Sequence, residues 1–323
     1  LGKHLVEQLR RPDRSVPLRL LCRGSAPWSG EPEIEVVHGD ITSASDVSRA
    51  MEGAGQVYHL AGVVTRDPRD KSVYRVHVEG TRNVCEAALQ HHPEKIVMVS
   101  SSGTIAVSRE PAIYDESAGY KNEVVGEWPY YLSKIFAEKL AFSYVKEHGL
   151  PIVVVNPSLL LGPGDDRGSS TGDITLFLTG QILAIPLGGL NFVDVRDAAA
   201  GLIAAMQSGA PGERYLLGGT NCSFRKLIEE VSKISGVGAP KLSLPLDFSL
   251  AGAQLLRPLY RAFGKSFRLD DASIKMSALF WFCNSEKAQA QLGFVTRDPL
   301  ETLRETVADV RRRMTAPDKP AGP

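Results

Sequence analysis

The first two-thirds of the chain alternate short apolar runs with amphipathic stretches, and this alternation limits the possible folds more than any other feature. The runs with the length and composition of strands are residues 18–22, 34–37, 56–60, 95–100 and 151–156. Helical patterns lie between them at residues 44–51, 72–90 and 130–147. Strands that alternate with helices predict an α/β fold, a doubly wound parallel sheet covered by helices on both faces. Ligands of such sheets bind beyond the carboxyl ends of the strands.

After about residue 160 the alternation weakens, which divides the chain into two unequal parts. A loop rich in glycine, serine and charge follows at 162–172, and loops of this length inside a compact domain are often functional. A strand near Phe192 is a candidate to rejoin the main sheet, and after another strand at 214–217 the patterns are mostly helical. We therefore expect a sheet domain, a smaller and mostly helical C-terminal substrate lobe, and a disordered tail, at residues 1–160, 161–315 and 316–323.

Composition argues against several kinds of partner. The 37 basic and 37 acidic residues balance, so nucleic acid and anionic membranes are poor candidates. No apolar run approaches the roughly 20 residues that a membrane-spanning helix requires. The four cysteines lie far apart without the spacing of metal ligands. We therefore expect no metal site, and buried thiols in a reducing compartment, the cytoplasm.

A tyrosine, a lysine and a run of serines give the strongest indication of chemistry. Tyr130 and Lys134 are four residues apart, which places both on one face of a helix. A nearby ammonium stabilises a phenolate, so we expect the tyrosine pKa to lie far below its usual value of about 10. The serine run, Ser100–Ser102, ends a predicted strand and could hold a substrate carbonyl or alcohol against the phenol. Such a group moves a proton while a hydride moves elsewhere, and hydride transfer needs a nicotinamide.

A series of short motifs extends this pattern along the chain. The motifs are His38-Gly39-Asp40-Ile41, Tyr58–Gly62, Val78–Thr81, the serine run, Tyr130 with Lys134, Asn156–Ser158, Gly162–Asp165 and Phe192–Asp197. Together and in this order they resemble the extended short-chain dehydrogenases/reductases, in the NAD-dependent epimerase/dehydratase group. The segments 157–165 and 212–219 are similar to dihydroflavonol-4-reductase-like and hopanoid-associated sugar-epimerase-like members. The resemblance covers nearly the whole chain and implies a Rossmann fold.

The resemblance implies a role for each catalytic residue. Tyr130 would act as the general acid/base, and Lys134 would lower its pKa and bind the nicotinamide ribose. Tyr131 lies three residues from Lys134 and should point elsewhere. The serine stays open between two neighbours, because alignment with epimerases slightly favours Ser102 and alignment with reductases favours Ser101.

The resemblance also implies a cofactor site. Asp40 would accept a hydrogen bond from the adenine amino group, and Ile41 would pack on the adenine ring. The other residues expected at the cofactor are Gly2, Leu60, Ala61, Gly62, Pro157, Ser158 and Leu159, together with Tyr130 and Lys134. The stretch 21–25 carries Arg23 and no acid, where NAD-specific relatives usually place an acid for the ribose. An arginine suits a 2′-phosphate, so we expect NADP(H) to be favoured over NAD(H).

The chain departs from the family pattern at two places. His77 stands where relatives usually have the asparagine of an N-V-x-G-T motif. Relatives also open with a strand and a G-x-x-G-x-x-G loop for the pyrophosphate, whereas Gly2 matches only the last of those glycines. The absent strand would be central in the sheet. We therefore expect around a dozen residues, a strand plus G-x-x-G, to precede Leu1 in the intact protein.

These features predict an NAD(P)-dependent oxidoreductase that transfers a hydride between nicotinamide and a ketone or secondary alcohol of a small organic substrate. The alternative is a nucleotide-sugar epimerase or dehydratase with tightly bound NAD, although a dehydratase would want an acid where the chain has Gly103. A non-catalytic cofactor-binding protein is a third hypothesis, but such relatives often lose the tyrosine and lysine. Relatives commonly pair through two long helices, here 72–90 and 130–147, so we expect a homodimer.

Overall fold

The first part of the molecule consists of parallel strands with helices between them, as the alternation predicts. The computed structural model describes residues 1–11, 16–24, 26, 28–31, 33–67, 69–262 and 270–315. The strands of this part are β1 (Leu18–Cys22), β2 (Ile34–His38), β3 (Gln56–His59), β4 (Lys95–Val99), β6 (Ile152–Pro157) and β9 (Arg214–Leu217). Its helices are α1 (Gly2–Leu9), α2 (Ala44–Met51), α3 (Ser72–Tyr74), a π-helical turn (Arg75–Glu79), α4 (Gly80–His91), α6 (Pro129–His148), α8 (Val195–Ser208) and α12 (Glu286–Leu292). The expected tail at 316–323 lies outside the described residues.

The strands pair in the order of a doubly wound sheet, with one break. β1 pairs with β2, and β3, β4, β6 and β9 pair in that order, all in parallel. Within the described residues no hydrogen-bonded strand joins β1 to β3. The break lies where the doubly wound order has its first strand.

Both faces of the larger sheet are covered, which explains why its strands are continuous apolar runs. Alternate residues of a strand point to opposite faces. Val97 and Val153 pack in one cluster with side chains from α1 and α8. Ile96 and Ile152 pack in another, with side chains from α2, α4 and α6. The helices therefore fix the positions of the strand ends at which ligands bind.

The C-terminal lobe contains a second sheet, of which the sequence patterns predict only the strand near Phe192. Its strands are β5 (Ile113–Tyr114), β7 (Leu159–Leu161), β8 (Gly189–Asp194), β10 (Thr220–Ser223) and β11 (Phe280–Cys283). The remaining helices are α5 (Asn122–Val125), α7 (Gly172–Leu178), α9 (Phe224–Ser235), α10 (Leu246–Ala262), α11 (Asp271–Ser277) and α13 (Pro299–Thr315). Helices still form the larger part of the lobe, but strands this short are too brief to establish an alternating pattern.

The strand that returns from the C-terminal part to the main sheet is β9 and not the one near Phe192. β9 pairs with β6, whereas β8, which contains Phe192, pairs with β7, β10 and β11. Both strands are short and largely buried, so their composition alone does not distinguish the two sheets. None of the helices in the described segments is both long and apolar enough to cross a bilayer.

Candidate active site

A cavity of about 860 Å³ opens at the carboxyl ends of the central parallel strands. Leu60 after β3, Ser101 after β4 and Ser158 after β6 contribute to its wall. Side chains of the C-terminal lobe close its other end. The cavity therefore lies where the topology of a parallel sheet places a ligand.

Tyr130 stands in the first turn of α6 and reaches Ser101. Pro129 begins this helix, at a position where its missing N–H costs nothing. The Ser101 hydroxyl lies close enough to the Tyr130 hydroxyl to lower its pKa. Ser101 caps the short 3₁₀ turn that follows β4, and its hydroxyl accepts the Gly103 N–H at 3.3 Å. Ser102 also lines the cavity, but the contact of the tyrosine is with Ser101, which differs from our slight preference for Ser102.

The pKa of Tyr130 shifts in the direction opposite to our expectation. Burial raises it to about 12, and the hydrogen bond with Ser101 only partly offsets the shift. The reason is desolvation, because the phenolate would lose its hydration in a largely apolar wall. The neighbouring ammonium does not produce the expected lowering, so the tyrosine of this site is a neutral phenol at neutral pH.

Lys134 is buried one helical turn after Tyr130. Its ammonium donates to the backbone carbonyl of Val99 at 3.0 Å. Burial lowers the pKa of Lys134 to about 8, and the carboxylate of Glu138 partly opposes this shift. An ammonium has three donors, so the bond to Val99 leaves two for a ligand in the cavity.

His77 joins three segments of the site through a chain of hydrogen bonds. The Val63 N–H donates to His77 Nε2 at 3.0 Å, so this nitrogen is the acceptor of the neutral ring. His77 Nδ1 then carries the proton and donates to Ser133 Oγ at 2.8 Å, and Ser133 donates to the backbone carbonyl of Tyr130 at 2.8 Å. The histidine lies in the π-helical turn, a distortion that is frequent at functional sites.

A buried carboxylate fixes the segment that carries the serine. Glu138 has no exposed side-chain surface, and its charge lies 3.7 Å from the Arg214 guanidinium. Thr104 Oγ1 and Asn156 Nδ2 both donate to Glu138 Oε1 at 2.8 Å. Asn156 also donates to the backbone carbonyl of Ser101 at 3.0 Å. These bonds tie the ends of β4 and β6 to α6, so they hold Ser101 and Tyr130 in register.

Sequence reasoning missed the roles of Glu138 and of the aromatic residues around Tyr131. Trp128, Tyr131 and Trp281 line the cavity beside Tyr130. Tyr131 was expected to point away from Lys134. Its ring faces the part of the cavity that the C-terminal lobe forms, where it stacks on Trp281. Trp281 follows Tyr131 by 150 residues, so no local pattern could have associated the two.

Most of the residues expected at the cofactor line the cavity: Gly2, Leu60, Gly62, Pro157, Ser158 and Leu159, together with Tyr130 and Lys134. Ala61, Arg23, Asp40 and Ile41 are not among its lining residues. A side chain at position 62 would crowd the site, because a Cβ there would lie 3.2 Å from His77 Nε2 and 3.4 Å from Lys134 Nζ. The buried Ser158 hydroxyl has no hydrogen-bond partner among the described residues. An open backbone, free ammonium donors and an unpaired hydroxyl fit a nicotinamide nucleotide.

Arg23 and Asp40 meet at the ends of the neighbouring strands β1 and β2. Arg23 Nη1 and Asp40 Oδ2 are 3.9 Å apart, and both side chains are exposed. Asp40 Oδ1 accepts the backbone N–H and the hydroxyl of Thr42 at 2.8 and 2.9 Å. The Thr42 bonds hold the pKa of Asp40 below its usual range. Ile41 packs against Gly80, where a Cβ would lie 2.9 Å from Ile41 Cγ1. One Asp40 oxygen therefore forms the turn, and the other faces Arg23.

The described residues contain no group of three or more His, Cys, Asp or Glu side chains that could hold a metal ion. His59, which could have been taken for a ligand, is hydrogen-bonded to Thr81 at 3.1 Å. Burial lowers the pKa of His59 to about 3. Its ring therefore belongs to the buried packing behind β3.

Comparison with known proteins agrees with this geometry. The sequence model of the NAD dependent epimerase/dehydratase family matches residues 1–218. A putative dihydroflavonol 4-reductase from Synechocystis sp. is 34% identical over 96% of this chain and 89% of its own length. Sterol demethylase protein B of Methylococcus capsulatus is 28% identical over 97% of this chain and 96% of its own. Among solved structures, gox2253 superposes with a TM-score of 0.80 at 30% identity, covering 96% of this chain and 94% of that one.

Proposed function

Because the chain belongs to the NAD dependent epimerase/dehydratase family and is an NAD-dependent enzyme of the oxidoreductase type, we propose that it reduces a ketone to a secondary alcohol. The observation that carries this proposal is that Tyr130 and Ser101 meet in the cavity wall, one helical turn from the buried ammonium of Lys134. The substrate is a small organic molecule that enters from the C-terminal lobe.

Each polar group of the cavity has a role in this reaction. Tyr130 donates its phenolic proton to the carbonyl oxygen as that oxygen gains negative charge. Ser101 donates a hydrogen bond to the same oxygen and so fixes its position next to the phenol. Lys134 and Ser158 would hold the nicotinamide end of the cofactor, through the ammonium donors and the unpaired hydroxyl. The nicotinamide, when bound, supplies the hydride.

The pKa of Tyr130 supports the reductive direction. A pKa of about 12 keeps the phenol protonated at neutral pH, so it is ready to act as an acid. Oxidation of an alcohol would need the phenolate, which is scarce at that pH. The same wall that desolvates the phenol thus makes it a proton donor.

The finer properties of the protein follow from other contacts. NADP(H) is favoured over NAD(H), because the exposed guanidinium of Arg23 lies at the strand end that meets the ribose in relatives. The protein acts in a reducing compartment, the cytoplasm, since its four cysteines are all unpaired thiols. It forms a homodimer through the outer faces of α4 and α6, where Phe136 is 45% exposed.

The alternative function is epimerisation or dehydration of a nucleotide sugar, which the name of the family favours. The two functions differ in their use of the cofactor. A reductase consumes one reduced nicotinamide for each alcohol formed, whereas an epimerase returns the hydride and consumes none.

The experiment is to offer the protein a library of ketones and nucleotide sugars while following the absorbance of reduced nicotinamide and measuring products. We expect stoichiometric consumption with at least one ketone. Conversion of a nucleotide sugar without net loss of reduced nicotinamide would support the alternative and contradict reduction.

A further inference from the structure

Three aromatic side chains form a wall of the cavity directly beside Tyr130. Trp281, from β11, stacks on Tyr131 with ring centroids 4.9 Å apart and planes inclined by 29°. Trp128 meets Tyr131 edge-on at 6.5 Å, and Tyr131 lies 5.0 Å from Tyr130. The indole N–H of Trp281 donates to the backbone carbonyl of Met276 at 3.0 Å. Its polar atom is therefore satisfied, and the ring contributes an apolar surface to the cavity.

The wall can approach the backbone at position 103 only because Gly103 has no side chain. A Cβ at position 103 would lie 2.4 Å from Tyr131 Cε1 and 2.9 Å from Trp281 Cζ3, both far inside van der Waals contact. The position two residues after Ser101 therefore excludes any larger side chain, including an acidic one. The stacked rings take that place, so an apolar surface adjoins the reacting carbonyl.

Much of the rest of this end of the cavity is apolar as well, with Gln181 and Asn191 among its polar side chains. Buried side chains of the C-terminal lobe line it: Ile174, Phe177, Leu190, Leu227, Ile228 and Val231. Of the described residues at this end, the charged ones are Arg66 and Asp173, and they bond to each other at 2.9 and 3.0 Å. Of the charged loop residues 165–167, Asp166 pairs with Lys3 of α1. A diphosphate placed against the apolar side chains beyond Tyr131 would lose its hydration, and Arg66, the cation beside them, is already paired with Asp173.

We propose, on the basis of the reductase function above, that the substrate is an uncharged hydrophobic ketone whose carbonyl belongs to or adjoins a ring system. The ring packs on the stacked faces of Tyr131 and Trp281 while its carbonyl meets Tyr130 and Ser101. Trp281 and Gly103 are accordingly the residues that determine specificity, the first by contact and the second by leaving room for the stack. A rigid ring system covers these flat faces without the ordering cost that a flexible chain pays.

The test compares substrates matched in size. The wild-type protein is assayed with reduced nicotinamide and trans-decalone or an acyclic ketone with the same number of carbon atoms. A nucleotide 4-ketosugar, which carries a reducible carbonyl and a diphosphate, is assayed beside them. We expect kcat/KM for trans-decalone to exceed that for the acyclic ketone about 10-fold or more. Trp281→Leu should remove most of this preference, mainly by raising the KM for trans-decalone. Trp281→Phe keeps an aromatic ring and should retain the preference. Phe280→Leu is the matched control, because Phe280 precedes Trp281 on β11 and points to the opposite face of the strand.

A second variant makes the result independent of how well Trp281→Leu folds. Gly103→Ala displaces the same stack from its other side, so it too should remove the ring preference. A wild-type protein that prefers the acyclic ketone or the nucleotide 4-ketosugar would overturn the substrate assignment, as would variants that leave the ring preference unchanged. Consumption of reduced nicotinamide with the acyclic ketone alone would refute this assignment and leave the reductase function standing. No consumption with any ketone would refute both.

Discussion

The buried His77 is linked through Ser133 to the helical turn that carries Tyr130. Its two ring nitrogens are both used, one accepting from Val63 and the other donating to Ser133. An asparagine side chain also offers one acceptor and one donor, so His77 can take over the bonding pattern of the family residue that it replaces. Burial and the nearby ammonium of Lys134 lower the pKa of His77 to about 3. The histidine is therefore neutral in the folded protein over the physiological range.

The lowered pKa of His77 makes the protein sensitive to acid. The usual pKa of 6.5 applies to the unfolded chain, so between pH 6.5 and 3 the unfolded state binds a proton that the folded state does not. Stability from this group is present above pH 6.5 and is lost as the pH falls, by ~1.4 kcal/mol per pH unit. We predict that His77→Asn has a shallower decline of the free energy of unfolding in this range, measured by urea denaturation.

The control for that measurement is His92→Asn, at an exposed histidine with φ of 51°, a left-handed conformation that asparagine tolerates. We expect the difference between wild type and His92→Asn to stay constant with pH. Parallel declines for wild type and His77→Asn would show that His77 is not held neutral by the fold.

At the scale of secondary-structure elements, the ends of β1 and β2 define the expected position of the adenine ribose. The two strands pair in parallel from Leu18↔Ile34 to Cys22↔His38, so the residues after them emerge side by side. This register brings Arg23 within 3.9 Å of Asp40. The sequence predicted both strands and both residues, but not their contact, because the register of two strands is set by the fold around them. An exposed pair of this kind contributes little stability, so the guanidinium remains available to a phosphate.

We predict that Arg23→Ala weakens NADPH binding about 10-fold or more and leaves NADH binding nearly unchanged, since only NADPH carries the 2′-phosphate. Isothermal titration of both nucleotides measures the effect. The matched control is Arg19→Ala, because Arg19 lies on the same strand and pairs with Glu35 at 2.6 Å. Tighter binding of NADH than NADPH by the wild type would contradict the proposed preference.

For the whole molecule, the local patterns predicted the elements of the main sheet better than the arrangement of the C-terminal lobe. The pattern of apolar runs and helices located β1, β9 and α2 to the residue. The pattern missed the four-residue strands β10 and β11, which both pair with β8, a strand distant from them in the sequence. The tyrosine and lysine could be found because their spacing is local. The contact of Tyr131 with Trp281 could not, since only the folded chain brings β11 beside α6.

The proposed dimer is a further property of the whole molecule. On α6, Ile135 is fully buried, whereas its neighbour Phe136 is 45% exposed. The Phe136 ring lies 6.1 Å from that of Tyr74. We predict that Phe136→Glu lowers the mass measured by light scattering from dimer to monomer, because it puts a charge into an apolar contact. Leu255→Glu, at a residue of α10 that is 76% exposed, is the control and should remain dimeric. A wild-type protein that is monomeric at micromolar concentration would exclude the dimer.

The central claim is that Tyr130 is the proton donor of a ketone reductase. The most direct measurement is turnover by Tyr130→Phe, beside Tyr131→Phe, with titration of the cofactor to each variant. Tyr130→Phe should bind the cofactor as the wild type does but lose about 10²–10⁴-fold in kcat, the usual cost of removing a general acid. Tyr131→Phe should be mildly affected, because phenylalanine preserves the ring that stacks on Trp281. Equal turnover by Tyr130→Phe and the wild type would contradict the claim.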